Sequence, residues 1–261
     1  MEFTGKIVLI TGASEGIGAA CAHALRERGA RLALVARSEG KLRSVAGPDD
    51  LVLPADLTRA QDREQAVQQA LAHFGRIDIL INNAGAGLYA PSWQAPMEDV
   101  RRMYELNFFA PLEMIQLVVP GMRARREGLI VNIASIAGKV TLPWLTLYSA
   151  SKYALGSLTD GLRMELRREG IHTITVCPGY VSTAFQDHVL SGQPPEHVRR
   201  TKMFKITPER CALDIVKGME RGARTVVTPA SGWAFVVLER LFPSWIDRKL
   251  EDIYFRGLKT S

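Results

Sequence analysis

Three side chains have types and spacings suited to moving a proton to or from a carbonyl oxygen. Tyr148 and Lys152 stand four residues apart, and Ser135 lies thirteen residues before the tyrosine. The pattern predicts a helix over 147–168, and on a helix residues i and i+4 share a face, so the phenol and the ammonium meet. A free tyrosine titrates near ~10 and carries protons poorly at neutral pH. A cation fixed beside it favours the phenolate and lowers its pKa, which suits the group to general acid or base work. Tyr-x-x-x-Lys also arises in ordinary helices whose lysine is solvated. The reading therefore depends on what the rest of the chain builds around the pair.

A nearly all-apolar run at 6–11 reads as a parallel strand buried on both faces. It leads into Gly12-Ala13-Ser14-Glu15-Gly16-Ile17-Gly18 and then a helical stretch ending near Gly29. Glycines at such a turn let backbone approach a pyrophosphate, while the helix N-terminus offers free N–H groups and a partial positive charge. With a strand before it and a helix after it, the turn reads as a dinucleotide site. The second strand, 31–36, ends at Arg37-Ser38, where NAD-binding chains of this architecture carry an acid for the ribose hydroxyls. An arginine and a hydroxyl suit a 2′-phosphate instead, so NADP(H) is the preferred cofactor; Glu39 nearby keeps NAD(H) open.

The third strand, 51–56, ends at Asp56-Leu57 with Thr58 as a helix cap, and Val67, Ala70, Leu71 and Phe74 then follow the spacing of an amphipathic helix. The fourth strand, 77–81, runs into Asn82-Asn83-Ala84-Gly85, whose small residues fit a crevice and whose amides can tie strands together. A long helical region from 97 toward 122 contains Asn107, and Pro111 predicts a kink. Backbone carbonyls freed there, with the Asn107 amide, suit an ordered water. Ser135 closes the fifth strand, 128–134, at the carboxyl edge where open α/β sheets bind ligands. Along the Tyr148 helix Leu155, Leu158, Leu162 and Leu166 form an apolar stripe, and Gly156 permits close approach of another helix, which marks it as a subunit contact. The sixth strand, 171–177, precedes Pro178-Gly179-Tyr180-Val181-Ser182-Thr183, and Thr183 can offer its hydroxyl to a cofactor carboxamide. Residues 184–206 read as a lid over the site. Thr207-Pro208-Glu209 starts a helix, and 225–228 is a last strand. Strand and helix alternate throughout, which implies a parallel sheet.

Length, 261 residues, suits one large α/β domain or two small ones, and 47% hydrophobic with 23% charged residues excludes extensive disorder. A net charge of +6 raises nucleic acid as a partner, but the basic residues are scattered and no reading motif accompanies them. Cys21, Cys177 and Cys211 are far apart in an odd set and read as buried thiols of a reducing, cytoplasmic compartment; no metal spacing occurs. The longest apolar run near the C-terminus, 233–238, is far short of a membrane span. The tail from 232 to 257 mixes aromatics with basic residues and acids. It could dock on its own domain, seal a subunit interface or lie in a membrane interface, and the acids Glu239, Asp247, Glu251 and Asp252 oppose the last.

With these motifs in place, the chain resembles the short-chain dehydrogenase/reductase family over residues 4–228. The resemblance implies a single-domain Rossmann-type fold: a doubly wound parallel sheet of about seven strands with helices on both faces. Residues 1–230 would hold cofactor and catalysis, and 231–261 would be a helical extension. It implies Asn107, Ser135, Tyr148 and Lys152 as the catalytic set. Tyr148 would protonate the substrate oxygen as hydride arrives, Lys152 would lower its pKa and bond the nicotinamide ribose, Ser135 would hold the oxygen, and Asn107 would support a water. The cofactor would be met by Gly12, Ser14, Glu15, Gly16, Ile17 and Gly18 at the first turn and by Arg37 and Ser38 at the second. Asp56 and Leu57 would flank the adenine, and Asn83, Ala84 and Gly85 would line the adenosine side. Tyr148 and Lys152 would meet the nicotinamide end, with Pro178, Gly179, Val181 and Thr183 beside it. The expected activity is ketone and secondary-alcohol interconversion on an apolar or acyl substrate, by a homodimer or homotetramer, with Leu142, Trp144, Tyr180, Phe185 and the tail as pocket walls. The rival is a dinucleotide-binding sensor without turnover; the intact tyrosine and lysine count against it.

Overall fold

The computed structural model describes residues 1–185, 189–193 and 205–255. Its strands are β1 (Ile7–Thr11), β2 (Arg31–Ala36), β3 (Leu51–Pro54), β4 (Ile79–Asn82), β5 (Gly128–Ile133), β6 (Ile171–Pro178) and β7 (Thr225–Thr228). They form one seven-stranded sheet in the order β3-β2-β1-β4-β5-β6-β7, with every neighbouring pair parallel. The helices are α1 (Gly16–Arg26), α2 (Glu39–Val45), α3 (Ala60–Phe74), α4 (Met97–Tyr104), α5 (Ala110–Arg125), α6 (Thr146–Leu166), α7 (Pro208–Glu220), α8 (Gly232–Leu241) and α9 (Pro243–Phe255).

Strand side chains alternate between two cores. Val8 and Ile10 turn toward α1, α2 and α7, where they meet Leu25, Leu42 and Ile215. Leu9 and Leu80 turn the other way, toward Val67 of α3, Met114 of α5 and Leu166 of α6. Burial on both faces explains why these strands read as continuous apolar runs. The winding order reverses between β1 and β4, so the loops that leave those two strands part and open a crevice at their carboxyl ends.

Several local expectations are corrected. Helix α2 was not foreseen, because Leu42 and Val45 are its only buried residues and seven residues show little periodicity. Thr58 does not cap α3; its hydroxyl donates to Asp56 Oδ1 at 2.8 Å, and Asp62 Oδ2 accepts from the Asp56 N–H at 2.8 Å. The irregularity expected at Pro111 is a π-helical turn at Glu105–Phe109, and Pro111 sits in the first turn of α5, where it interrupts no bond of that helix. Among the described residues, a Cβ at Gly156 would meet nothing within 4 Å, so no other described helix of this chain approaches it closely.

Of the stretch expected to form a lid, 186–188 and 194–204 lie outside the described residues. The described part packs over the loop that follows β4: Leu190 N–H donates to Gly87 O at 2.9 Å and Tyr89 N–H to Ser191 O at 3.0 Å. The tail docks on its own chain through Val236 and Ile246, which pack against Ile136 and Val140 beyond β5. Its outer face leaves Leu241, Phe242 and Trp245 65%, 56% and 52% exposed. Among the described residues no helix is long and apolar enough to cross a membrane. Cys21, Cys177 and Cys211 are free and buried.

Candidate active site

The turn after β1 is built for close backbone approach. Gly12 and Gly16 have φ of +63° and +57°, values that L side chains rarely adopt. A Cβ on Gly12 would stand 2.9 Å from Ala84 Cα, and one on Gly18 would stand 2.2 Å from Gly12 O. The turn is pinned from β4: Asn83 Nδ2 donates to Thr11 O and Gly12 O, both at 3.0 Å, and Thr11 Oγ1 accepts from the N–H groups of Asn83 and Ala84 at 2.9 and 3.1 Å. Glu15 occupies the N-cap of α1 without a side-chain cap bond. A helix start with no side-chain cap leaves N–H groups for an anion. A turn whose lining residues Gly12 and Gly16 carry no Cβ lets backbone approach a pyrophosphate in front of it.

A second network sets the catalytic helix. Asn82 Nδ2 donates to Asn132 Oδ1 at 2.9 Å, and Asn132 Nδ2 donates to Thr159 Oγ1 at 2.9 Å, which ties β4 to β5 and β5 to α6. Asn107, fully buried in the π turn, accepts from the Ala86 N–H at 2.9 Å and donates to Ala86 O and Ser151 Oγ, each at 3.0 Å. Ser151 in turn donates to Tyr148 O at 2.7 Å. The Asn107 amide holds the loop after β4 against α6, and Asn107 does not line the cavity. Arg63, only 2% exposed, braces the π turn from α3 through Glu105 at 2.8 Å and Glu113 at 2.6 Å.

Tyr148, Ser135 and Lys152 converge on one cavity. Ser135 hydrogen-bonds the phenol and also accepts from the Ala137 N–H at 3.1 Å. The short helical turn after Ser135 lies flat on α6 because Gly138 has no side chain; a Cβ there would come within 2.9 Å of the Lys152 carbonyl group. Lys152 Nζ donates to Ile133 O at 2.9 Å and stands 5.8 Å from the centre of the Tyr148 ring.

The expected depression of the tyrosine pKa is corrected. Burial holds the Tyr148 phenol well above its ordinary value, outweighing the Ser135 hydrogen bond that acts the other way. Burial also pushes the Lys152 ammonium down to about 8. Sequence spacing brought the two groups together but could not show how dry their surroundings are.

The cavity, about 850 Å³, runs from the glycine turn past Tyr148 to the tail, within the ~300–1,000 Å³ of ligand sites. It is lined by Gly12, Ser14, Glu15, Gly16, Ile17, Arg37, Ser38, Asp56 and Leu57, and by Asn83, Ala84, Gly85, Pro178, Gly179, Val181 and Thr183. Gly18 is not among its lining residues; the glycine packs beneath the turn. Trp144 does not line it either: its backbone is left-handed, φ +65°, and its carbonyl accepts from the Ala90 N–H at 3.0 Å. Lys41 and Arg102 were missed. Both face the end of the cavity that holds Arg37, and Lys41 Nζ bonds Glu15 Oε2 at 2.8 Å. Burial acts to raise Asp56, but two Thr58 hydrogen bonds and the charges of Arg37 and Arg102 outweigh it and hold the carboxyl below its usual range. The tail contributes Phe235, Leu250, Ile253 and Tyr254.

A family model for short chain dehydrogenases matches residues 6–194, and the chain belongs to the short-chain dehydrogenase/reductase family, whose members are oxidoreductases. It is 32% identical to a dehydrogenase/reductase SDR family protein 7-like of Anopheles gambiae, over 95% of this chain and 84% of the relative. Among solved structures it is similar to a short chain dehydrogenase/reductase from Burkholderia phymatum in complex with NAD: TM-score 0.86 at 26% identity, over 94% of this chain and 96% of that one. A short chain dehydrogenase from Burkholderia cenocepacia in complex with NADP gives 0.81 at 29%, over 96% and 99%.

Proposed function

We propose that the protein is an NADP(H)-dependent oxidoreductase that interconverts a ketone and a secondary alcohol, acting on an apolar carbonyl substrate. The observation that carries this reading is the meeting of Tyr148, Ser135 and Lys152 in one cavity with the glycine turn. A nicotinamide dinucleotide bound in this crevice would supply the hydride. The chain's own groups manage the proton. With its pKa held by burial above an already basic ordinary value, Tyr148 is protonated at neutral pH and stands ready as the acid for carbonyl reduction. Ser135, already bonded to the phenol, holds the carbonyl oxygen beside it. Lys152 is mostly charged below pH 8 and, 5.8 Å from the ring, stabilises the phenolate left when the proton departs. Asn107 acts through position, clamping the loop after β4 to the helix that carries Tyr148.

Arg37, Ser38 and Lys41 favour a 2′-phosphate, which a carboxylate in their place would repel. The Burkholderia proteins, one with NAD and one with NADP, support a nicotinamide dinucleotide in either form. The test is NADPH oxidation against a panel of apolar ketones, with Tyr148→Phe beside the wild type. The expected result is turnover that falls by about 10²–10⁴ in the variant while NADPH affinity is kept. Turnover that survives the substitution would assign the proton to another group, and tight NADPH binding without turnover on any ketone would overturn the reading.

A further inference from the structure

Resting on the reductase reading, we propose that Arg63 is a positioning residue of the site. From behind the cavity wall, its one guanidinium sets the loop at Leu57 on the adenosine side and, through Asn107, the helix that carries Tyr148. The inference starts from how deeply this cation is placed. Arg63 stands near the start of α3 and is 2% exposed. A buried guanidinium is costly unless its N–H groups are taken up. Here three elements take them up. Nη1 donates to Leu57 O at 2.5 Å and to Glu105 Oε1 at 2.8 Å, while Nε and Nη2 both reach Glu113 Oε2, at 2.7 and 2.6 Å. One carboxylate would neutralise the charge; two carboxylates and a carbonyl fix the planar group in a single orientation.

Both ends of this bracket lead to surfaces the reaction uses. Leu57 and Leu106 line the cavity and meet again around a small gap behind its wall. The loop at Leu57 is held twice from α3, because Asp62 Oδ2 accepts from the Asp56 N–H at 2.8 Å and Arg63 donates to the Leu57 carbonyl. At the other end Glu105 opens the π turn, and Asn107, two residues on, clamps Ala86 and Ser151. A π turn carries an extra residue within the helix, so the direction of Asn107 depends on what fixes the turn's start. Arg63 fixes it without lining the cavity itself. Only a forked donor serves three partners at once; a lysine ammonium keeps the charge and pairs with a carboxylate but does not span all three.

The experiment compares wild type, Arg63→Met and Arg63→Lys for NADPH affinity by titration and for kcat and KM with an apolar ketone, at a temperature where circular dichroism shows the protein folded. Arg63→Lys keeps the cation, so it decides the matter if Arg63→Met does not fold. In the lysine variant NADPH affinity and kcat are each expected to fall about tenfold, the size of one charge-assisted hydrogen bond, with the ketone KM unchanged. An arginine that only stabilised the fold would lower the melting temperature and leave all three constants alone, and that result overturns the inference. In an Asn107→Ala background Arg63→Lys is expected to lower NADPH affinity again but kcat by less than about twofold; a loss of kcat as large as in the wild-type background overturns the route through Asn107. A wild type without turnover on any ketone overturns the reductase reading and the catalytic half of the inference with it, and an unchanged NADPH affinity in Arg63→Lys then overturns the other half.

Discussion

Replacing Lys152 by Met is expected to make the ligand-free protein more stable and inactive at once. Lys152 is 4% exposed, and burial lowers its pKa from the ordinary 10.5 to about 8, against a smaller opposing effect of Cys177. The sign follows from proton linkage. Between these two values the unfolded chain binds the proton and the folded chain does not, so stability rises with pH across that window; below it both states are charged and the penalty is present in full. At ~1.36 kcal/mol per decade, the charged lysine destabilises the native state by about 3 kcal/mol at pH 7 and about 1 kcal/mol at pH 10. Methionine is of similar length and carries no charge, but it loses the Nζ bond to Ile133 O, worth about 1 kcal/mol. The net expectation is a gain of about 2 kcal/mol at pH 7 that shrinks to near zero at pH 10. Urea unfolding of both proteins without cofactor at the two pH values measures it, and taking the difference cancels every group the two proteins share. A methionine variant that is less stable at pH 7, or a gap that does not change with pH, would refute the reasoning.

Three further outcomes are expected. Gly18→Ala places a methyl 2.2 Å from Gly12 O and 2.7 Å from Asn83 Nδ2, so the turn must shift; stability should fall by about 1–3 kcal/mol and NADPH affinity at least about tenfold, read by melting and by titration. Asn107→Asp sets an acceptor against Ala86 O, 3.0 Å away, and should cost about 3 kcal/mol at neutral pH; the loss should shrink in acid as the carboxyl regains a donor, and a pH-independent unfolding midpoint difference would dismiss the clamp. Arg37→Asp should lower the NADPH-to-NADH ratio of kcat/KM by about 10²-fold, and an unchanged ratio removes Arg37 from cofactor choice.

What the sequence made legible divides along a physical line. The glycine turn, the strands and the cap at Thr207 are local: each depends on a few adjacent residues, and each stands where the pattern placed it, with Thr207 Oγ1 accepting from the Arg210 N–H at 3.2 Å. The Asn82–Asn132–Thr159 relay depends on register across three elements, and Asn132 is an unremarked member of an apolar run until Asn82 is seen beside it in the sheet. Tyr89 and Tyr254 are far apart in sequence and carry no shared motif, so only the docking of α9 brings them to one cavity. The tyrosine pKa shows the limit most clearly. Four-residue spacing guarantees that a cation is near, but the sign of the shift depends on how much water the neighbours exclude, and here Leu145, Phe185 and the turn after Ser135 exclude enough for burial to win. On the reductase reading proposed above, the protonated resting phenol is the form that carbonyl reduction uses. Alcohol oxidation would first have to remove that proton, and the Ser135 hydrogen bond is what favours the anion there.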